Sequence, residues 1–258
     1  MKLLILFKLG NFLSYKILKK RILYSNVYPI TGSAQRINQL LDFTTGKNYL
    51  EIGTNYGFTF EGVKADHKLG VDPEKKYFLN KSGNHVKDTS DNFFKHNSSK
   101  FDLIFIDGLH EYKQVIRDII HSLNTLNHKG MILIDDVYPL DFDIAAKPWG
   151  ALSTQEKNGV SKGEFSWQGD VYKAIFLMSN EFNRALNFYT LTNDGHIQTV
   201  ISRKNQEAKF ELPSKNILDR YDDSKLIDQL KNGIPLIWNC CSFPDLLITL
   251  GKTTGNHK

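Results

Sequence analysis

Glu51-Ile52-Gly53-Thr54-Asn55-Tyr56-Gly57 is the stretch on which the fold turns. It closes an apolar run, Asn48–Ile52, and opens onto Phe58–Ala65, which reads as a helix. A strand that ends in a glycine turn and passes into a helix is the first unit of a sheet with crossover helices. Working outward, Ala34–Leu41 reads as a short helix before it, and Lys68–Asp72 as a second strand after it. Residues 84–87 form a weakly marked third strand, followed by a short helix over Ser90–Phe94.

The next signals are stronger. Phe101–Asp107 is an apolar run closing on an acid, as a strand buried on both faces does. Val115, Ile116, Ile119, Ile120, Leu123 and Leu126 recur at helical spacing, and Gly130 is expected to break that helix. Met131–Ile134 is another buried strand, closing on Asp135-Asp136. Leu186–Thr192 and His196–Arg203 flank Asn193-Asp194-Gly195, whose turn chemistry predicts an antiparallel hairpin. The fold class expected is α/β: a Rossmann-like, doubly wound, mostly parallel seven-stranded sheet with a C-terminal antiparallel hairpin. Residues 139–170 carry six Pro and Gly and read as a long mobile loop.

Three segments follow: a basic and apolar helical arm over 1–45, the α/β domain over 46–203, and a helical extension over 204–258. Residues 1–41 hold seven basic side chains and no acid, leaving 26 basic and 28 acidic groups in the rest. The body is nearly neutral, which argues against nucleic acid as a partner. Within the arm, Leu, Phe and Tyr interleave with Lys and Arg over residues 2–24. Peripheral contact with an anionic membrane, or packing against the core or a second subunit of a homo-oligomer, both stay open. The arm lacks the small-residue cleavage site of a signal peptide and is too short to span a bilayer. Cys240 and Cys241 are adjacent and have no other partner, so no disulfide framework is available. A cytoplasmic location follows as the expectation, with the arm at the inner face of the membrane if it binds there.

A cofactor of a doubly wound sheet sits beyond the carboxyl ends of the strands, where strand order reverses. Gly53 lets the backbone turn tightly there, and Gly57 is expected to let the next helix pack close. Asp72 can accept hydrogen bonds from two ribose hydroxyls. A dinucleotide fingerprint needs glycines where this chain has Asn55 and Phe58. Glu51 can receive the amino group of a zwitterionic ligand, a role a pyrophosphate does not need.

Glu51-x-Gly53-x-x-x-Gly57 with an acid ending the next strand resembles the class I S-adenosylmethionine-dependent methyltransferases. Phe101–Tyr112 and Gly130–Asp136 are similar to the small-molecule and sugar O-methyltransferases of that class, and the likeness covers residues 46–203. The resemblance implies S-adenosyl-L-methionine held by Glu51, Gly53, Thr54, Asn55, Tyr56, Gly57, Asp72, Ser90 and Asp107. It implies methyl transfer to a sugar, glycan precursor or other small hydroxylated acceptor. Asp107, Asp135 and Asp136 end adjacent strands, and three gathered carboxylates suit a divalent ion such as Mg²⁺. His110, with Asp107, is the candidate catalytic pair, the imidazole standing where it can deprotonate a hydroxyl. Tyr112, Trp167, Asp170 and Lys173 are candidate acceptor contacts, although Asp170 equally suits a helix start. A catalytically silent methyltransferase-like module and a metal-dependent nucleotide-sugar glycosyltransferase are the alternative readings.

Overall fold

The computed structural model describes residues 31–74, 84–139, 141–162, 164, 167–192, 197–223 and 225–255, the last four by backbone alone. Most of the N-terminal arm, with its membrane expectation over 2–24, lies outside the described residues. So does the Asn193-Asp194-Gly195 turn.

The elements in chain order are α1 (Gly32–Thr44), β1 (Asn48–Ile52), α2 (Phe58–Gly62), β2 (His67–Val71), β3 (Asn84–Val86), α3 (Ser90–His96), β4 (Phe101–Ile106), α4 (Tyr112–Thr125) and β5 (Leu126–Ile134). A 3₁₀ turn (Trp149–Ala151), α5 (Thr154–Lys162), α6 (Val171–Glu181), β6 (Leu186–Leu191) and β7 (Gln198–Arg203) follow. The tail adds α7 (Lys215–Arg220), α8 (Leu226–Lys231), a 3₁₀ turn (Leu236–Trp238), β8 (Cys240–Cys241) and α9 (Phe243–Gly255).

The strands form one sheet in the order β3-β2-β1-β4-β5-β7-β6-β8. β1 pairs in parallel with both β2 and β4, so strand order reverses on either side of β1. β7 enters antiparallel to both β5 and β6, as the hairpin signal predicts. The sheet has eight strands rather than seven, because the tail returns Cys240–Cys241 parallel to β6. Two residues with no periodic pattern give no strand signal in sequence.

Successive side chains of a strand point to opposite faces. Leu50, Ile52, Ile104, Ile106, Ile132 and Ile134 pack beneath α4 and α6, while Tyr49, Leu103, Phe105, Met131 and Leu133 share a second core with Ile37, Leu40 and Phe60. The sheet is therefore covered on both sides, which is why its central strands read as unbroken apolar runs.

Three further expectations change. The apolar stripe of α4 forms as read, but the helix stops at Thr125 and passes straight into β5. Gly130 lies inside that strand, next to Lys129 at φ 63°, where the register between β4 and β5 shifts. The bulge, not a helix end, is what Gly130 serves: a Cβ there would meet the Phe101 carbonyl oxygen at 3.0 Å. α2 is shorter than its sequence signal and α1 longer, Thr31 capping α1 by accepting the Ala34 N–H at 3.0 Å. The 139–170 segment is also more ordered than expected, holding a 3₁₀ turn and α5.

Ladder bonds continue one residue beyond the central strands. Gly53 N donates to Val71 O (2.8 Å), Asp107 N to Ile52 O (2.9 Å), Asp135 N to Ile106 O (3.1 Å), and Asp72 N to Val86 O (3.1 Å). Asp72, Gly53, Asp107 and Asp135 thus stand side by side along the carboxyl edge of the sheet.

Candidate active site

The Gly53 turn is set by the strand beside it. Its φ is 88°, and a Cβ there would lie 2.1 Å from the Asp107 carbonyl oxygen and 2.5 Å from Gly108 Cα. Glycine is required twice, for the left-handed backbone and for the contact with the loop after β4. Gly57, also at φ 82°, differs: a Cβ there would meet nothing within 4 Å. Its conformation needs glycine, but the close helix packing expected of it is absent.

Asn55 sits at φ 45° between these glycines, and its N–H donates to Asp72 Oδ2 at 2.7 Å. Glu74 N donates to Asp72 Oδ1 at 2.8 Å. The buried Asp72 carboxylate therefore pins the loop after β1 to the end of β2 and keeps lone pairs for further donors. Thr54 is buried, and its hydroxyl has no hydrogen-bond partner among the described residues.

Glu51 lies on the same face of β1 as Tyr49, whose hydroxyl donates to Oε2 at 2.6 Å. Burial pushes the Glu51 carboxyl up to about 8; the Tyr49 hydrogen bond opposes this and the Asp107 charge adds to it. A buried acid with one neutral donor is short of a cation. At the far end of the edge, the Ser90 hydroxyl accepts from Gln114 Nε2 at 3.1 Å, so α4 already engages it. Tyr56 packs near Phe58, ring centroids 6.3 Å apart.

The acids beyond β4 and β5 meet around a histidine. His110 Nε2 lies 3.3 Å from Asp107 Oδ1, and Nδ1 lies 3.2 Å from Asp136 Oδ2. Burial by itself lowers the His110 pKa, but the Asp107 hydrogen bond and the Asp136 and Asp107 charges outweigh it and raise it to about 9. Burial raises the Asp136 carboxyl well above its ordinary value too, with the His110 charge opposing it, so the cluster as a whole holds its protons tightly. The acids on either side of the imidazole favour its protonated form.

Asp107, His110 and Asp136 each offer one ligand atom, all within 4.8 Å of one another. Asp135 is not in that group. Its Oδ1 accepts the Asp136 N–H at 2.9 Å and its Oδ2 lies 3.5 Å from Ser33 Oγ, so it shapes the turn and ties in α1. The turn holds Asp136 at φ 58° and sends the two side chains apart. The metal set expected from sequence thus loses Asp135 and gains His110.

The remaining candidates divide. Trp167 reaches the site, stacking on His110 with centroids 5.2 Å apart and planes 15° apart. Its Nε1 donates to Lys147 O at 2.8 Å. Trp149, missed in the sequence, meets Trp167 edge-to-face at 4.9 Å. A tryptophan after Pro148 in a segment returning over the strand ends was the available signal. Gly169, at φ 65°, lets the chain lie against His110, whose carbonyl oxygen would be 1.9 Å from a Cβ.

Tyr112, Asp170 and Lys173 instead build a buried joint. Asp170 Oδ1 accepts the Tyr112 N–H at 2.8 Å, satisfying the first turn of α4, whose own N-cap, Glu111, makes no such bond. Lys173 Nζ lies 3.4 Å from Asp170 Oδ2 and donates to Asp222 O at 3.2 Å, while the Tyr112 hydroxyl donates to Leu218 O at 3.4 Å. Their polar groups are consumed in joining α4, α6 and the tail.

Comparison with known proteins gives the following. No curated protein matches the chain in sequence. Among solved structures, the SAH-bound methyltransferase PaMTH1 of Podospora anserina is 20% identical with a TM-score of 0.46, covering 67% of this chain and 78% of its own. An O-methyltransferase from Bacillus cereus in complex with SAH is 14% identical with a TM-score of 0.46, covering 72% of this chain and 87% of its own. A family model described as a methyltransferase domain matches residues 50–137. That span holds the Gly53 turn, Asp72 and the Asp107–His110–Asp136 cluster, and over it the chain resembles the class I S-adenosylmethionine-dependent methyltransferases.

Proposed function

We propose that this chain transfers a methyl group from S-adenosylmethionine to a hydroxyl oxygen of a small acceptor, a sugar or another hydroxylated ring. The observation that carries the reading is the Gly53 turn, pressed on the Asp107 backbone and tied through Asn55 to Asp72. The residues fit the cofactor on their own terms: Glu51 is a buried acid short of a cation, and the Thr54 hydroxyl is buried without a partner. Glu51 would meet the ammonium group, Asp72 the ribose hydroxyls, and Gly53 to Gly57 the body of the nucleoside. When bound, the cofactor supplies an electrophilic methyl carbon.

The chain's own contribution to rate is alignment. Trp167 and Trp149 form an aromatic wall beside His110 that fits the flat or apolar face of a ring. Asp107 is the carboxylate within reach of a hydroxyl placed at the cluster, and it takes the single hydroxyl proton as the methyl is transferred. The oxygens of Asp107 and Asp136 would also suit a divalent ion such as Mg²⁺, and the addition of the His110 nitrogen would favour a transition ion over it; either would acidify the acceptor hydroxyl. Binding through His110 requires the imidazole to lose its proton.

Calorimetric titration of S-adenosylmethionine and S-adenosylhomocysteine, with Mg²⁺ or with EDTA, tests the reading. Binding of both is expected, and binding of neither would overturn it. Equal methyl transfer to a hydroxylated ring in EDTA and in Mg²⁺ would remove the metal and leave the methyl donor standing.

A further inference from the structure

The opposite end of the sheet carries an open cavity of about 650 Å³, between the start of β5, the end of β7 and the face covered by α1 and α9. It shares no residue with the site above, and its size is that of a small-ligand pocket, roughly 300–1,000 Å³. Its walls carry His128, Lys129, Arg203 and Lys204, and no Asp or Glu lines it. Phe43 and Tyr189 supply an apolar surface.

Glu207, which does not line the cavity, acts electrostatically on Arg203. No ion pair found among the described residues includes Lys129, Arg203 or Lys204. The Arg203 guanidinium donates to carbonyl oxygens, that of Asn127 at 2.6 Å and that of Leu126 at 3.4 Å, while its Nε is buried without a partner. Burial pulls the guanidinium below its ordinary value, with Glu207 acting the other way. Lys204 Nζ donates to the Asn183 carbonyl oxygen at 2.7 Å.

The backbone is also unusual here. Lys129 has φ 63°, a region a lysine rarely adopts, and its N–H is fixed by Gln206 Oε1 at 3.0 Å. Such conformations persist where surrounding contacts over-determine them, and they gather at binding sites. The same Gln206 oxygen lies 3.3 Å from Arg203 Nη2, so one amide orders both cationic residues at the cavity wall.

We propose that this cavity is a second ligand site, for a small phosphorylated ring: a dianion among His128, Lys129, Arg203 and Lys204, with its flat body against Phe43 and Tyr189. Several basic side chains in a lining that holds no acid favour a doubly charged group over a single carboxylate. The inference is independent of the methyltransferase reading, since neither site uses the other's residues.

The test is calorimetric titration of the full chain with phenyl phosphate, inorganic phosphate and phenol, on the wild type and the K129Q/K204Q variant. Phenyl phosphate is expected to bind more tightly than either fragment, and the variant to weaken it by about ten-fold or more through loss of charge-assisted hydrogen bonds. Both lysines are exposed, and an unchanged melting temperature and circular-dichroism spectrum establish that the variant is folded. Displacement of phenyl phosphate by phosphatidylglycerol vesicles would assign the anion to a lipid headgroup; no displacement would assign it to a soluble phosphoester. Absence of binding, equal binding by the variant, or competition with S-adenosylhomocysteine would overturn the proposal.

Discussion

Gly53→Ala and Gly57→Ala place the same methyl group at two left-handed positions of one loop, and the structure assigns them different costs. At either position an L side chain in that region costs roughly 1–2 kcal/mol. Alanine recovers about 0.4–1 kcal/mol by restricting the unfolded chain. For Gly57, where a Cβ meets nothing within 4 Å, that balance is the whole effect, a loss of about 1 kcal/mol. For Gly53 the Cβ would stand 2.1 Å from the Asp107 carbonyl oxygen, so the two backbones must part by about an ångström. Overpacking of that kind adds roughly 1–3 kcal/mol. The expected total is about 2–4 kcal/mol for Gly53→Ala. In melting temperature this is roughly 2–4 °C for Gly57→Ala and about 5–15 °C for Gly53→Ala. Urea unfolding of both variants, followed by S-adenosylhomocysteine titration of the folded proteins, reads both quantities. Affinity should fall further in Gly53→Ala, because the displaced strands carry Glu51 and Asp107. Equal destabilisation of the two variants would refute the argument that the loop is pinned at Gly53.

Other outcomes follow from the site's electrostatics. In EDTA, the stability contributed by the His110 cation is complete below about pH 6.5 and lost as pH rises through about 9, because its folded value is the higher one. Urea titrations of His110→Gln should show a shallower slope there, with Glu51 and Asp136 still contributing. Glu51 also holds its proton more tightly when folded, so stability falls as pH rises from about 4.5 to about 8. Glu51→Gln should then be more stable than the wild type at pH 8 in the absence of ligand, yet bind S-adenosylhomocysteine more weakly; a variant that loses neither the slope nor the affinity contradicts the assignment. Asp136→Asn should lower Mn²⁺ affinity at least about ten-fold, while Asp135→Asn changes it little. The reverse order, measured by calorimetry, would restore Asp135 to the metal set.

The alternation of strands and helices, the hairpin, the glycine loop and the acids at the strand ends are all legible in the sequence. Each is local: an apolar run of set length, a turn residue, or an acid closing a run. A parallel sheet then carries every strand end to one edge, and Asp72, Gly53, Asp107 and Asp135 fall into line there. The direction of each side chain beyond that edge is not local. Asp135 and Asp136 are neighbours in sequence, but a left-handed backbone at Asp136 sends one carboxylate toward Ser33 and the other toward His110. His110 stands between Asp107 and Asp136, an arrangement that chain order does not show. Asp170 and Lys173 look like pocket residues until Tyr112 and Asp222 are found to engage them. Chain order by itself determined the edge where the chemistry gathers. Tertiary packing decided which groups face one another across it, because burial and charge act through space between residues far apart in the chain.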